Sequence, residues 1–265
     1  MVESADGWLA VSLPRPWDWD AAPAWLEGAV EDWAAVEQAS ARRPSVELLE
    51  RAELLGLAVA AVDDEVGPCP SPTAVTGSLA GVTVVDLTSL WAGPLCGFLL
   101  AIRGARVLKV ESATRRDGAR TGDPELYESL NDHKELVVLD LGTGPGRREL
   151  DRVLAAADVV LEASRPRALG AFGWDPARAW ASGCAAWVSI TGYGRSSDRV
   201  AFGDDAAAGA GLVRWLDGRP GFLGDALADP VAGMTAAAAV LDGLTRGGQH
   251  LHDVSLVGAA RAVRS

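Results

Sequence analysis

From residue 80 onward, short apolar runs alternate with helix-compatible stretches. VTVVDLT (82–88), RVLKVE (106–111), ELVVLDL (135–141), DVVLEA (158–163) and AAWVSITG (185–192) are rich in Val, Ile and Leu. Such runs suit strands buried on both faces of a parallel sheet. The intervening stretches 94–103, 145–157 and 175–182 read as helices, with Pro94, Pro145 and Pro176 where a first helical turn tolerates proline. The alternation predicts an α/β fold: a Rossmann-like parallel sheet with flanking helices. Two Ala-rich stretches, 204–216 and 230–244, predict further helices, and HLHDVSLV (250–257) predicts a last strand.

The first 75 residues follow a different pattern. DGWLAVSL reads as a turn and a short alternating strand, and Pro14, Pro16 and Pro23 punctuate a loop. Helices are expected over 24–39 and 45–56, the second with Val46, Leu48, Leu49, Ala52 and Leu55 near helical spacing. Five tryptophans (Trp8, Trp17, Trp19, Trp25, Trp33) fall here. The surrounding acids disfavour a membrane-interface role for them, so packing is the expected use. GPCPSPTAVTG (67–77) has linker chemistry. A small acidic, Trp-rich α+β segment, 1–75, is therefore expected to precede a Rossmann-like domain, 76–265.

Charge sharpens that division. The 265 residues carry 24 Lys+Arg and 36 Asp+Glu, a formal −12. Residues 1–75 hold 14 acidic and 4 basic side chains, whereas the remainder is nearly balanced at 22 and 20. This balance argues against a nucleic-acid partner, which needs clustered cations. No apolar run approaches the ~20 residues of a membrane span, and no secretory signal is visible. Cys69, Cys96 and Cys184 are isolated, without metal spacing or a disulfide framework. A cytoplasmic protein with no membrane partner is the expectation. Lysine occurs only at 109 and 134, against 22 arginines, a bias that reads as genomic base composition rather than chemistry.

Few residue patterns carry chemistry by themselves. The unit 82–111 has a dinucleotide-binding outline, with Glu111 closing its second strand, but WAGPLCG is not GxGxxG and Pro94 lacks a cradling N–H. His250 and His252 share one face of a strand with no third ligand, and His133 lies in a turn; exposed positions fit them better than a metal site. Arg115, Arg116 and Arg120 follow the second strand and Arg165 and Arg167 the fourth, at the edge where α/β sheets bind ligands. They read equally as phosphate partners or as solvated loop residues. Asp229, ahead of Pro230 and a helix of small residues, reads as an N-cap. The same position sets a carboxylate in the positive field of a helix terminus, which favours its charged, nucleophilic form. Both roles remain open on these grounds.

Taken together, five ordered blocks resemble the class III (family III) CoA-transferases, a group that includes the formyl-CoA and carnitine CoA-transferases and the related α-methylacyl-CoA racemases. They are LAGVTVVDLTSLWAGPLCGFLLAIRGARVLKVE, NDHKELVVLDLGTGPGRREL, ADVVLEASRPRALGAFGWDP, WVSITGYG and ADPVAGMTAAAAVLDGLTRGGQHLHDVSL, spanning about 79–257. The resemblance implies that Asp229 is the catalytic aspartate, which attacks an acyl-CoA thioester and passes CoA to a carboxylic acid acceptor through covalent aspartyl intermediates. It implies CoA contacts at Leu90, Trp91, Ala92, Ser112, Leu139, Ala163, Ser164, Arg165, Phe172 and Thr191. Coenzyme A would be a substrate, with no separate cofactor and no metal. Trp91 stands where a polar residue is frequent, and Ala163-Ser164 where Asn-Phe is common. The racemases carry a histidine just upstream of the aspartate; here FGDDAAAG offers Asp204, which disfavours racemisation.

The order of the pieces departs from the family pattern. The chain ends soon after Val-Ser-Leu, where the family's small domain begins, while DGWLAVSL and GLAVAAVDDEV resemble small-domain pieces placed first. A permuted or truncated arrangement is expected. Family members form dimers, which suggests a homo-oligomer or a complementary subunit. The alternative to a working transferase is an acyl-CoA-binding subunit without catalysis.

Overall fold

The computed structural model describes residues 1–73, 77–164, 169–170 and 172–264. It divides into two compact units, and both draw on separated parts of the chain. The first comprises Met1–Pro68, Gly192–Asp229 and the stretch from Ser255 onward; the second comprises Cys69–Thr191 and Pro230–Val254. This division differs from the two consecutive parts expected from composition, because later pieces complete the N-terminal segment.

The first unit is built on an antiparallel sheet of β1 (Val2–Glu3), β2 (Trp8–Ser12) and β3 (Ala58–Ala61), in that order. Helices α1 (Pro16–Leu26), α2 (Trp33–Ser40) and α3 (Ser45–Leu55) intervene in the chain. The proline cluster thus opens a helix instead of a loop, with Pro16 in its first turn. The helix expected over 24–39 is split, because Glu27 turns left-handed at φ 48°. Trp25 is wholly buried among Leu9, Leu26, Val36 and Leu48, and its indole N–H donates to the Leu48 carbonyl at 2.9 Å.

Later segments supply this unit with backbone partners and cations. The N–H groups of Asp63 and Glu65 donate to the carbonyls of Ala208 and Gly209, each at 3.0 Å. Arg199 pairs with Glu65 at 2.8 Å, and Arg261 and Arg264 both pair with Asp63.

In the second unit, parallel strands β4 (Thr83–Asp86), β5 (Arg106–Ser112), β6 (Glu135–Leu139), β7 (Val159–Glu162) and β8 (Ala186–Thr191) match the expected runs. Helices α4 (Ala92–Ala101), α5 (Ala119–Gly122), α6 (Pro124–Asn131), α7 (Gly144–Ala155) and α8 (Pro176–Ala181) connect them. In the first unit, α9 (Gly203–Gly209) is followed by an antiparallel hairpin of β9 (Val213–Leu216) and β10 (Arg219–Phe222). The helix expected over 204–216 therefore stops at Gly209. The reason is local: Asp217 and Gly218, at φ 50° and 76°, form the two-residue loop that an Asp-Gly pair favours.

Helix α10 (Ala228–Arg246), strand β11 (His250–Ser255) and helix α11 (Leu256–Ala262) complete the chain's elements. The six-stranded sheet runs β11-β8-β7-β4-β5-β6. That is the doubly wound order, which reverses direction between β4 and β7 and leaves a crevice at their carboxyl ends. Val85, Leu108, Leu150, Val160, Trp174 and Trp187 form its core. Among the described residues no helix is long and apolar enough to cross a membrane, and no group of three or more His, Cys, Asp or Glu side chains could hold a metal ion.

The expected exposed strand does not hold for His252. It is buried, its ring stacks on His250 at 5.8 Å, and its Nε2 has no hydrogen-bond partner among the described residues. Burial, together with the charges of His250 and Arg246, pushes its pKa down to about 4. The native state therefore binds fewer protons than the unfolded chain between about 4 and the ordinary value near 6.5. Stability should fall as pH drops through that window. Buried Asp205, pushed up to about 7 by desolvation, slopes the opposite way, so the difference between wild type and variant is the informative quantity. Relative to His252→Leu, wild type should lose about 3 kcal/mol between pH 7 and 4 in denaturant titrations; parallel curves would refute the buried neutral imidazole.

Candidate active site

The loop after β4 is shaped by two buried lysines. Lys109 Nζ donates to the Thr88 carbonyl at 2.5 Å and to Asp117 Oδ2 at 3.1 Å. Asp117 Oδ1 accepts the Leu90 N–H at 3.0 Å. Lys134 Nζ donates to Asp86 Oδ2 (2.9 Å), the Pro94 carbonyl (2.8 Å) and Asn131 Oδ1 (2.9 Å), using all three of its protons. Asp86 Oδ1 in turn accepts the Thr88 N–H and hydroxyl at 3.0 and 2.5 Å. The segment 88–94 is thus tied at Thr88, Leu90 and Pro94.

These ties explain two costly features. Leu90 is left-handed at φ 70°, which disfavours a branched side chain and needs an external hold. Gly93 is required because a Cβ there would overlap the Thr88 side chain. Burial alone would push the Asp86 carboxyl up, but the neighbouring Lys134 and Lys109 outweigh it and hold the pKa below the usual range. Burial lowers the pKa of Lys134, with Asp86 opposing. A guanidinium could not replace the Lys134 ammonium, since a planar fork does not match three acceptors converging on one nitrogen. At 134, lysine therefore answers a chemical need as well as base composition.

Eight of the ten positions singled out for CoA lie at one edge of the parallel sheet. Leu90, Trp91 and Ala92 follow β4, Ser112 ends β5, Leu139 ends β6, Ala163 and Ser164 follow β7, and Thr191 ends β8. All lie at carboxyl ends of parallel strands, where doubly wound sheets bind ligands. The Ser164 N–H donates to Glu162 Oε2 at 2.9 Å. Phe172 lies beside Arg147, whose guanidinium is 5.9 Å from the ring, and both line a cavity of about 200 Å³ with Leu150 and Asp151. Arg165, and with it Arg167, lies outside the described residues.

Among the other loop arginines, Arg120 is committed. It pairs with buried Glu111 at 3.0 Å and stacks on the Tyr127 ring at 4.1 Å. Tyr127 Oη also donates to Glu111, at 2.7 Å. This cluster occupies the acid that a dinucleotide reading would assign to a ribose.

Asp229 lies in the first unit, in the first turn of α10, which begins one residue earlier at Ala228. It is therefore not the capping residue. Its N–H donates to the Ala226 carbonyl at 2.9 Å. The next turn of α10 belongs to the second unit. There a Cβ on Gly233 would meet the Ala92 carbonyl at 2.5 Å and Leu95 Cβ at 3.1 Å, so glycine permits close packing of α10 on α4.

Residues 79–263 match the family model described as CoA-transferase family III. The chain is 31% identical over 178 residues to a succinyl-CoA–D-citramalate CoA-transferase of Chloroflexus aurantiacus, covering 62% of this chain and 44% of that protein. It is 29% identical over 210 residues to a succinate–glutarate CoA-transferase of Agrobacterium fabrum, covering 70% and 52% respectively. Among solved structures, a CAIB/BAIF family protein from Brucella suis aligns with a TM-score of 0.64 and 28% identity, over 71% of this chain and 56% of that one. The chain thus spans about half the length of the curated relatives it matches.

Replacing Lys134 by Met strands the Asp86 carboxylate without its cation. Stability should drop by about 3–5 kcal/mol in urea unfolding, and Asp86→Asn in the same background should recover part of the loss. An unchanged midpoint in Lys134→Met would contradict the pairing.

Proposed function

Because the chain belongs to CoA-transferase family III, we propose that it moves CoA between an acyl-CoA thioester and a carboxylic acid, with Asp229 as nucleophile. The observation that supports this reading is an aspartate in the first turn of α10, on a chain whose residues 79–263 match the family and include a doubly wound parallel sheet.

An Asp229 carboxylate oxygen attacks the thioester carbonyl carbon, the C–S bond breaks, and a mixed anhydride and CoA thiolate result. The thiolate attacks the aspartyl carbonyl, forming an aspartyl-CoA thioester and releasing the donor acid. An acceptor carboxylate attacks that thioester, giving a second anhydride and thiolate. Thiolate attack on the acceptor's carbonyl then yields the new acyl-CoA and restores Asp229. No net proton or electron is consumed, so the protein has to hold anions close together and keep water out.

Leu90, Trp91, Ala92, Ser112, Leu139, Ala163, Ser164, Arg165, Phe172 and Thr191 are proposed to contact CoA. Two relatives are named for succinyl-CoA or succinate, which makes succinyl-CoA with short dicarboxylate acceptors the first panel to try. A second reading, an acyl-CoA-binding subunit that needs a partner chain, is favoured by similarity to a relative named as the beta subunit of a succinyl-CoA–L-malate CoA-transferase.

Purified protein should exchange labelled CoA between succinyl-CoA and an acceptor acid. Asp229→Ala should lower the rate by at least about 10³-fold while CoA affinity stays within about twofold by calorimetry. Tight CoA binding with no exchange in wild type would favour the subunit reading. Unchanged turnover in Asp229→Ala would remove the nucleophile assignment.

A further inference from the structure

Within the first unit, the Asp229 carboxylate sits in a seat built by the start of α9 and by the loop before α10. A Cβ on Gly203 would overlap both Asp229 Oδ2 and the Ala226 carbonyl oxygen. The carboxylate therefore occupies the volume that any side chain at 203 would fill. Ala226 is left-handed at φ 47°, a conformation costing a residue with a Cβ about 1–2 kcal/mol. Its two backbone polar groups reveal what holds it there. The Ala226 N–H donates to Asp204 Oδ1 at 2.7 Å, and the Ala226 carbonyl accepts the Asp229 N–H at 2.9 Å.

Asp204 is therefore joined to Asp229 through two hydrogen bonds and one strained residue. The arrangement carries costs that a scaffold alone would not require. Asp204 is half-buried, and desolvation raises its pKa, with the neighbouring Asp225 charge adding to the rise. Glycine at 226 would relieve the backbone strain without any brace. Strain retained beside a reactive group, and held by a dedicated acceptor, fits preorganisation of that group.

We propose that Asp204 and Gly203 are positioning residues for the Asp229 nucleophile: Asp204 locks Ala226 so that the helix start aims the carboxylate, and Gly203 leaves it room. The proposal rests on the reading of Asp229 as nucleophile. Asp204 acts here as a hydrogen-bond acceptor, so its oxygen matters and its charge does not.

The test compares Asp204→Ala, Asp204→Asn and Gly203→Ala by single-turnover acylation of Asp229, by CoA affinity and by crystallography. Asp204→Ala should slow acylation about 10- to 100-fold and Gly203→Ala about 100-fold or more, with CoA affinity within about twofold of wild type in both. Asp204→Asn keeps an acceptor oxygen and should stay within about threefold. In crystals of Asp204→Ala, Ala226 should leave the left-handed region and the Asp229 carboxylate should shift. Equal slowing in the Asn and Ala variants would overturn the acceptor role. An unmoved Ala226 and Asp229 in the Ala variant would overturn the proposal whatever the rates. Wild type that shows no acylation would refute the nucleophile reading, and the crystals would still decide whether Asp204 positions Asp229.

Discussion

Two buried ammonium groups set the shape of the loop after β4 in the second unit. Each sits among carbonyl and carboxylate oxygens, Lys109 with Thr88 and Asp117, Lys134 with Asp86, Pro94 and Asn131. Ion pairs so deeply buried gain little net stability over apolar residues of the same volume. What they provide is geometry. They tie the backbone at Thr88, Leu90 and Pro94, hold Leu90 left-handed, and bring Gly93 against Thr88. The residues that follow β4 can then present one fixed surface to a ligand, at the crevice where the strand order reverses.

The first unit applies the same logic to Asp229. A strained Ala226, braced by Asp204, leads into the first turn of α10, and a glycine leaves space for the carboxylate. Charge also explains how this unit is assembled from three stretches of chain. The acidic N-terminal segment holds only 4 basic side chains against 14 acidic ones. Arg199, Arg261 and Arg264 come from later stretches to pair with Glu65 and Asp63. Within the second unit, the part of α10 from Pro230 onward packs on α4 through Gly233.

Much of the parallel sheet was legible in the sequence because strands buried on both faces must be apolar throughout. The runs at 82–88, 106–111, 135–141, 158–163 and 185–192 could be little else. Elements whose signal is a single backbone feature were harder to read. The β9–β10 hairpin hides in an Ala-rich stretch, and only Asp217-Gly218 marks its turn. The split between α1 and α2 depends on one left-handed residue, Glu27. Pairings between distant positions leave no local trace: Lys134 with Asp86, or Asp204 with the Ala226 N–H. Lysine's restriction to two positions was the one compositional trace of the first network. The family was legible through motif order, whereas the seat of Asp229 emerges only from the packing of Gly203.

The proposed function turns on Asp229 transiently carrying the transferred group. The most direct measurement incubates the protein with succinyl-CoA, quenches with hydroxylamine or borohydride, and maps the modification by intact and peptide mass. The account predicts a modified peptide containing Asp229, absent without acyl-CoA. An unmodified Asp229 in protein that is turning over CoA, or a modification at another residue, would contradict it.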